Sequence, residues 1–566
     1  MFISIGASLH KLVNWHEIDW KRVNQNVRRL QARIVKALTE RNKRKVRALQ
    51  FILTRSFSGR AMAVRRVTEN QGSNTAGVDK EIWNTPEKKT QAVAQLQHKG
   101  YQPKPLKRVY IPKIDGKLRP LSIPTIKDRA MQALHLMALD PIAETQADRN
   151  SYGFRRERAT ADAIEQCFNV LSQKGSSNYI LEGDIKSCFD KISHQWILSN
   201  IPMDRSILGK WLKVGYFHKG VYESITEGTP QGGIISPTIM NIVLDGLEKE
   251  LLKKFSPNNR AKLNNKVHFV RYADDFIVTG SSKELLEQKV KPIITAFLQE
   301  RGLELSEEKT RIAEISKGFN FLGKNVRKYK GKLLIKPSVI NIKVVVEKIG
   351  KIIKSGLHNR QEVIIMKLNP VIKGWANYHR HKVSKAAFNK VDNQIFLKLW
   401  KWAKRRHPNK SSKWIKKKYF KKTENSNWMF QETIEEKGKI RTYRLFKASN
   451  VAIKRHTKIK QEANPYNPEW EEYFEERIGF KMVDNLKGKK VLLKLWFSQE
   501  GNCPTCCQKI TKETGWNIHH IVSKVNGGKN VLTNLVLLHP TCHKQVHNQS
   551  LQVLKPRLVK KALLDA

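Results

Sequence analysis

Apolar positions follow a helical period near the start of the chain. Val23, Val27, Leu30, Ile34 and Leu38 fall on one face, with Arg28, Arg29, Arg33 and Lys36 among the intervening positions. That spacing predicts one long basic helix over 22–56. Its charged side is either a solvated face or an RNA contact. Between 70 and 330 short apolar strands alternate with helical segments, an α+β pattern. Strands are expected at Tyr179–Ile185 and His268–Thr279, and helices at Asp128–Leu139, Ala159–Leu171 and Glu284–Glu300. From about 335 to 425 the pattern turns helical and very basic. EWEEYFEE at 469–476 is the one dense acidic patch and suggests a boundary. No apolar run reaches the roughly 18 residues of a membrane span. The first residues lack the basic region and long apolar stretch of a secretory signal.

Charge changes the picture most. Among 566 residues, 106 Lys+Arg stand against 50 Asp+Glu, a formal net charge of +56. A globular chain with that imbalance repels itself unless a polyanion neutralises it, so nucleic acid is the expected partner and binding should fall steeply with salt. Charge alone does not choose between RNA and DNA. The length suggests three to five domains. Cys167 and Cys188 are isolated, whereas Cys503, Cys506, Cys507 and Cys542 cluster. That is metal-site usage and fits a reducing interior, in cytoplasm or organelle, with no membrane partner and no secretion.

Two segments converge on carboxylate chemistry. HFVRYADDFIVTG at 268–280 reads as a β-hairpin with Asp274 and Asp275 at its turn, and YILEGDIKSCFD ends a second apolar strand in Asp184. Two strands delivering carboxylates to one place make a site for hard divalent ions. A pair of Mg²⁺ about 4 Å apart would stabilise both the attacking 3′-oxygen and the departing pyrophosphate. YADD at 272–275, DIKSCFD at 184–190 and GTPQGGIISP at 228–237 resemble the palm motifs of reverse transcriptases, in the form found in group II intron-encoded enzymes. The likeness continues through RVYIPKIDGKLRPLSIPTIKDR at 108–129, LSEEKT at 305–310 and FNFLG at 319–323. It implies that Asp184, Asp274 and Asp275 hold the polymerase Mg²⁺, helped by the Ile185 backbone carbonyl. It places Phe189 under the sugar as a gate against a 2′-OH, and Gln231 and Lys309 near the nucleotide. Lys113 and Arg119 suit the triphosphate of a dNTP, or else are solvated fingertip charges. FNFLG is similar to a primer-positioning hairpin, and its aromatics read equally well as core.

LNPVIKGWANYHR at 368–380 resembles the thumb, or maturase domain, of the same family. Lys373, Trp375, Tyr378 and Arg380 mix charge with rings that suit folded RNA; Trp375 and Tyr378 serve equally to pack a helix pair. Six lysines lie between Lys413 and Lys422, Lys416, Lys417 and Lys418 among them, with Trp414, Tyr419 and Phe420 interleaved. That density points to a polyanion rather than to a merely solvated face.

The C-terminal region carries a second chemistry. Cys503-x-x-Cys506 and His539-x-x-Cys542 have the paired spacing of a tetrahedral Zn²⁺ site, with Cys507 the poorer ligand. Within that frame His519 and His520 are adjacent on a strand, and His543 and His547 share a helix face. The whole resembles the zinc-supported ββα-metal HNH nucleases. By that resemblance His520 is the general base, His519, His543 and His547 bind one catalytic divalent ion, and Asn534 pins the loop that orients the base. Many members have Asp where His519 stands, which leaves the identity of that ion open.

The expected fold is thus an α+β multidomain chain. It has a basic N-terminal helical extension (1–70), right-hand polymerase fingers and palm (71–330) and a helical thumb or maturase domain (331–425). A DNA-binding region and linker (426–489) and the HNH domain with its zinc ribbon (490–566) follow. The resemblance implies reverse transcription from dNTPs, binding and splicing of a group II intron RNA held as a lariat ribonucleoprotein, and cleavage of a double-stranded DNA target. Two alternatives are an RNA chaperone with vestigial polymerase motifs and a polymerase of another mobile or defence element.

Overall fold

The computed structural model describes residues 14–556 apart from 71, 113–115, 117, 219–220, 425, 437, 487–488 and 524–525. The N-terminal stripe forms two helices where one was expected, Trp20–Thr39 and Lys43–Arg55. Arg41 breaks the run with φ of 56°, and the Asn42 side chain accepts from the Lys45 N–H to cap the second helix. Val23, Val27, Leu30 and Ile34 are buried, and their helix packs on the long helix Ile126–Gln146.

Two four-stranded sheets, one mixed and one antiparallel, frame the polymerase region. Strands Leu106–Pro112 and Leu118–Ile123 form a hairpin that pairs Ile111 with Arg119; Tyr216–His218 and Val221–Glu223 extend that sheet. Lys113 lies outside the described residues. The second sheet has the order Phe269–Tyr272, Asp275–Gly280, Tyr179–Gly183, Arg311–Glu314. Its inward residues, among them Ile180, Val270 and Ile277, are fully buried. The helix expected over 284–300 is a π turn, Leu285–Val290, that continues as Lys291–Gln299. Phe319 and Phe321 of the FNFLG segment are core residues, and its turn passes through Leu322 and Gly323 with positive φ.

Four helices, Val339–Ser355, Gln361–His379, Lys385–Arg406 and Ser412–Tyr419, share a separate apolar core around Ile364, Phe388 and Leu399. The stretch 426–489, expected as a DNA-binding region and linker, is divided between neighbours. Strands Phe420–Thr423, Ser426–Glu436 and Lys439–Arg444 join the four-helix unit, burying Phe430 in its core. Beyond them the chain runs along the polymerase region: His456 and the Ile459 N–H both bond Asp162, and the Tyr466 hydroxyl donates to Asp140. The acidic patch opens the helix Glu471–Asn485. At the C-terminal end strands Asn517–His520 and Leu535–Leu538 pair antiparallel, and the helix Pro540–Asn548 packs on them. That ββα unit sits on the N-terminal block, where the Gln545 amide donates to the His16 and Ile18 carbonyls. Among the described residues no helix is long and apolar enough to cross a membrane.

Candidate active sites

The palm aspartates meet through strand register. Gly183 pairs with Phe276 across adjacent strands, and a Cβ at 183 would lie 2.2 Å from the Phe276 ring. Only glycine lets that ring cross the strand, and the next residue, Asp184, emerges beside the turn that carries Asp274 and Asp275. Ala273 takes φ of 58° in that turn. Beneath it lies Arg271, 1% exposed, which donates to Asn241 Oδ1 at 3.1 Å and the Ala273 carbonyl at 3.2 Å and pairs with Asp245. Nothing in the motif singles out Arg271. Its signal is a charged residue in an otherwise apolar strand.

Burial and neighbouring carboxylates perturb Asp274 and Asp275. Burial and then the Asp184 charge raise Asp274 above the usual carboxylate range, against the opposing pull of Arg119 and Lys309. Burial, followed by its two carboxylate neighbours, pushes Asp275 up to about 6. The Lys309 ammonium donates to Asp184 Oδ2 at 2.8 Å, so the carboxylates already draw in a positive charge. A donor set of three crowded carboxylates fits a hard divalent ion.

Other expected palm residues gather around this cluster. Thr229 N–H donates to the Phe189 carbonyl at 2.6 Å, and Gln231 Nε2 donates to Asp190 Oδ2 at 3.3 Å. Gly232 has φ of 117°, and a Cβ there would lie 2.5 Å from the Ser122 carbonyl oxygen. The turn therefore lies flat on the fingers strand. Phe189 is half-buried, with its ring edge-on to Phe154 at 6.5 Å. Ile185 is buried and bridges Leu305. Arg119 is exposed.

Cys503, Cys506, His539 and Cys542 bring their ligand atoms within 4.8 Å of one another, all four buried. His539 Nε2 bonds the Lys509 carbonyl at 3.2 Å, which turns Nδ1 to 3.3 Å from Cys506 Sγ. Hydrogen bonding with Cys506 and Cys542 pulls the Cys503 thiol below its ordinary value, and the same contacts push the Cys542 thiol up. Cys507 is exposed with φ of 53° and stands outside this set. The residues fit a structural metal ion.

His519, His543 and His547 form a second group within 4.8 Å. Burial and then the neighbouring imidazoles lower His519 to about 4, so it is neutral and able to ligate. Its buried Nδ1 has no hydrogen-bond partner among the described residues. These observations fit a divalent ion. On the same strand His520 faces away from the group, and its Nε2 bonds Asn530 Oδ1 at 2.6 Å. Asn530 was not foreseen, since a lone Asn in a loop carries no spacing signal. Asn534 accepts from the Val522 N–H at 2.7 Å and donates to the Val522 and Lys529 carbonyls, both at 3.0 Å. It thus ties both arms of the loop that follows His520.

On the basic helices, Trp375 and Tyr378 are half-buried and make contacts within the protein. The Trp375 indole donates to Asn341 Oδ1 at 2.7 Å and its ring lies 5.5 Å from Phe388. The Tyr378 hydroxyl donates to the Leu322 carbonyl at 2.8 Å, tying the helix Gln361–His379 to the FNFLG turn. Lys373 is exposed, Arg380 half-buried, and Lys416, Lys417 and Lys418 are exposed on one short helix.

The sequence matches four family patterns in chain order: "N-terminal domain of reverse transcriptase" over 15–96, "Reverse transcriptase (RNA-dependent DNA polymerase)" over 111–326, "Group II intron, maturase-specific domain" over 342–420 and "HNH endonuclease" over 503–549. Protein YkfC of Escherichia coli (strain K12) is 32% identical over 303 residues, 46% of this chain and 78% of that protein. Group II intron-encoded protein LtrA of Lactococcus lactis subsp. cremoris is 29% identical over 328 residues, 47% of this chain and 54% of LtrA, so about half of LtrA is spanned. A solved apo telomerase from Candida tropicalis overlaps 55% of this chain and 62% of its own at 16% identity with a TM-score of 0.35, too slight a likeness to build on.

Proposed function

The chain belongs to the group II intron-encoded reverse transcriptases and maturases with a C-terminal HNH endonuclease domain, and on that premise we propose that it performs target-primed reverse transcription of its own intron RNA. In this reading the thumb and basic surfaces hold the intron RNA and assist its splicing as a lariat ribonucleoprotein. The HNH domain opens one strand of a double-stranded DNA target, and the palm extends the new 3′ end with dNTPs.

The observation that carries the reading is the convergence of Asp184 with the Asp274–Asp275 turn, with Lys309 drawn onto Asp184. Asp184, Asp274 and Asp275, with the Ile185 carbonyl, would hold two Mg²⁺. Bound there, such ions supply charge neutralisation for the phosphoryl oxygens and lower the pKa of the attacking hydroxyl. The chain's own contribution is positioning and electrostatics. Arg119, Lys113 and Lys309 would receive the triphosphate. Phe189 would exclude a 2′-OH, and Gln231 would orient the base from the turn that Asp190 steadies. In the HNH domain His520 would take the proton from water at Nδ1, the nitrogen left over when Nε2–H is donated to Asn530. His519, His543 and His547 would hold a divalent ion whose identity follows its imidazole set. Cys503, Cys506, His539 and Cys542 would hold structural Zn²⁺.

Primer extension on an RNA template tests the polymerase half. The wild type is expected to incorporate dNTPs in Mg²⁺, and Asp274→Ala to lose incorporation by about 10³-fold or more while keeping RNA affinity. Splicing assistance without incorporation on any template by the wild type would replace this reading with that of an RNA chaperone.

A further inference from the structure

Helix Lys385–Arg406 and the thumb hairpin enclose a surface cavity of about 710 Å³, large enough for a ligand. Its wall is an aromatic box. Phe396, Trp428 and Phe420 line the cavity, and Trp400, just outside the lining, stacks on Phe396 one helical turn away, with centroids separated by 6.4 Å and planes by 19°. Trp428 meets them edge-on at 5.7 and 5.6 Å, and Phe420 closes the floor 5.9 Å from Trp428. Core packing accounts for Phe420, which is 3% exposed, but not for Trp428, which is 39% exposed.

Cations surround the rings. Lys416 Nζ sits 4.3 Å over Trp428 and Lys404 Nζ 5.8 Å from Trp400. Lys447 lines the cavity and donates to Ser426 Oγ at 3.0 Å. Exposed rings give a stacking face to any base, and ammonium groups around them match the phosphates on either side of it. The net charge of +56 favours a polyanionic occupant over a protein segment.

We infer that this box captures an unpaired nucleobase of single-stranded RNA by stacking it against Trp428, with Lys416, Lys404 and Lys447 on the adjoining phosphates. The inference rests on the reading that the thumb holds RNA, and gives that contact a site and a strand state: it takes a flipped or looped-out base and rejects a paired one.

Short RNAs carrying 2-aminopurine provide the test on the full chain. The wild type should quench the probe in single-stranded RNA. Trp428→Ala should weaken that binding about tenfold, with Trp428→Phe restoring most of it and duplex RNA changing less than about twofold. Thermal melting checks the fold. Should Trp428→Ala melt early, Trp428→Leu, which keeps bulk without a stacking face, is read in its place. An unchanged single-strand affinity, or an equal loss on duplex RNA, overturns the inference. So does a change confined to self-association, which would make the occupant a second copy of the chain. Primer extension is scored separately. Absent dNTP incorporation by the wild type overturns the polymerase reading and leaves the stacking result intact, whereas full extension with unchanged RNA affinity in Trp428→Ala overturns the box alone.

Discussion

Replacing Lys324 by Met should stabilise the joint between palm and thumb, and by an amount that depends on pH. Lys324 is 1% exposed and donates to the Tyr378 carbonyl and to His379 Nδ1, both at 3.1 Å. Burial, and then the nearby Lys382, lower it from 10.5 to about 7. Burial likewise holds His379 down to about 2, so its ring is neutral and can accept that bond. Between pH 7 and 10.5 the unfolded chain binds more protons at this lysine than the folded one, so its stability contribution rises with pH across that window. Below pH 7 the cost of burying the charge is felt in full. At about 1.4 kcal/mol per pKa unit, the penalty shrinks by about 2–3 kcal/mol between pH 6 and 9. Lys324→Met removes that titration, while the two lost hydrogen bonds cost about 1–3 kcal/mol independent of pH. Thermal unfolding of both proteins at pH 6 and pH 9 isolates the effect as a double difference. The advantage of the variant should be several degrees larger at pH 6. A difference that stays constant with pH would refute the reasoning, because it would mean that Lys324 titrates alike in both states.

Three further outcomes follow from local geometry. Arg271→Met should lower stability by about 3–5 kcal/mol, visible as a falling melting temperature, because it strands Asp245, whose side chain is 10% exposed and which burial already raises to about 6. Asn534→Ala removes three hydrogen bonds from the nuclease loop, each worth about 0.5–1.5 kcal/mol. DNA nicking should fall at least about tenfold and primer extension should stay within about twofold. Cys503→Ser should cost about one bound zinc per chain by elemental analysis and open residues 490–556 to limited proteolysis.

Local chemistry was legible in the sequence where spacing alone determines geometry. Asp274 and Asp275 lie at a hairpin turn between apolar strands, and the two Cys/His pairs need only their internal spacing to face one another. His519 and His520 diverge because adjacent residues on a strand must. Long-range partnerships were not legible. Arg271 supports its turn through Asn241 and Asp245, some thirty residues away in the chain. The bonds of Trp375 and Tyr378 run to Asn341 and Leu322, in other elements that local spacing does not reach. The stretch 426–489 read as a module of its own because its charge pattern conceals Phe430 in the thumb core and the Asp162 contacts on the palm. The break at Arg41 was within reach: Asn42, three residues before Lys45, is a capping residue inside a helical stripe.

The central claim is that one chain cuts DNA and then copies RNA from the cut. The measurement that tests it most directly supplies the protein with its intron RNA, a labelled duplex target and dNTPs, and follows complementary DNA covalently joined to the target strand. The account predicts joined product for the wild type, a nicked but unextended target for Asp274→Ala, and an intact target for His520→Ala that resumes synthesis when the nick is supplied. Joined product from His520→Ala on an intact target, or from Asp274→Ala, would contradict it.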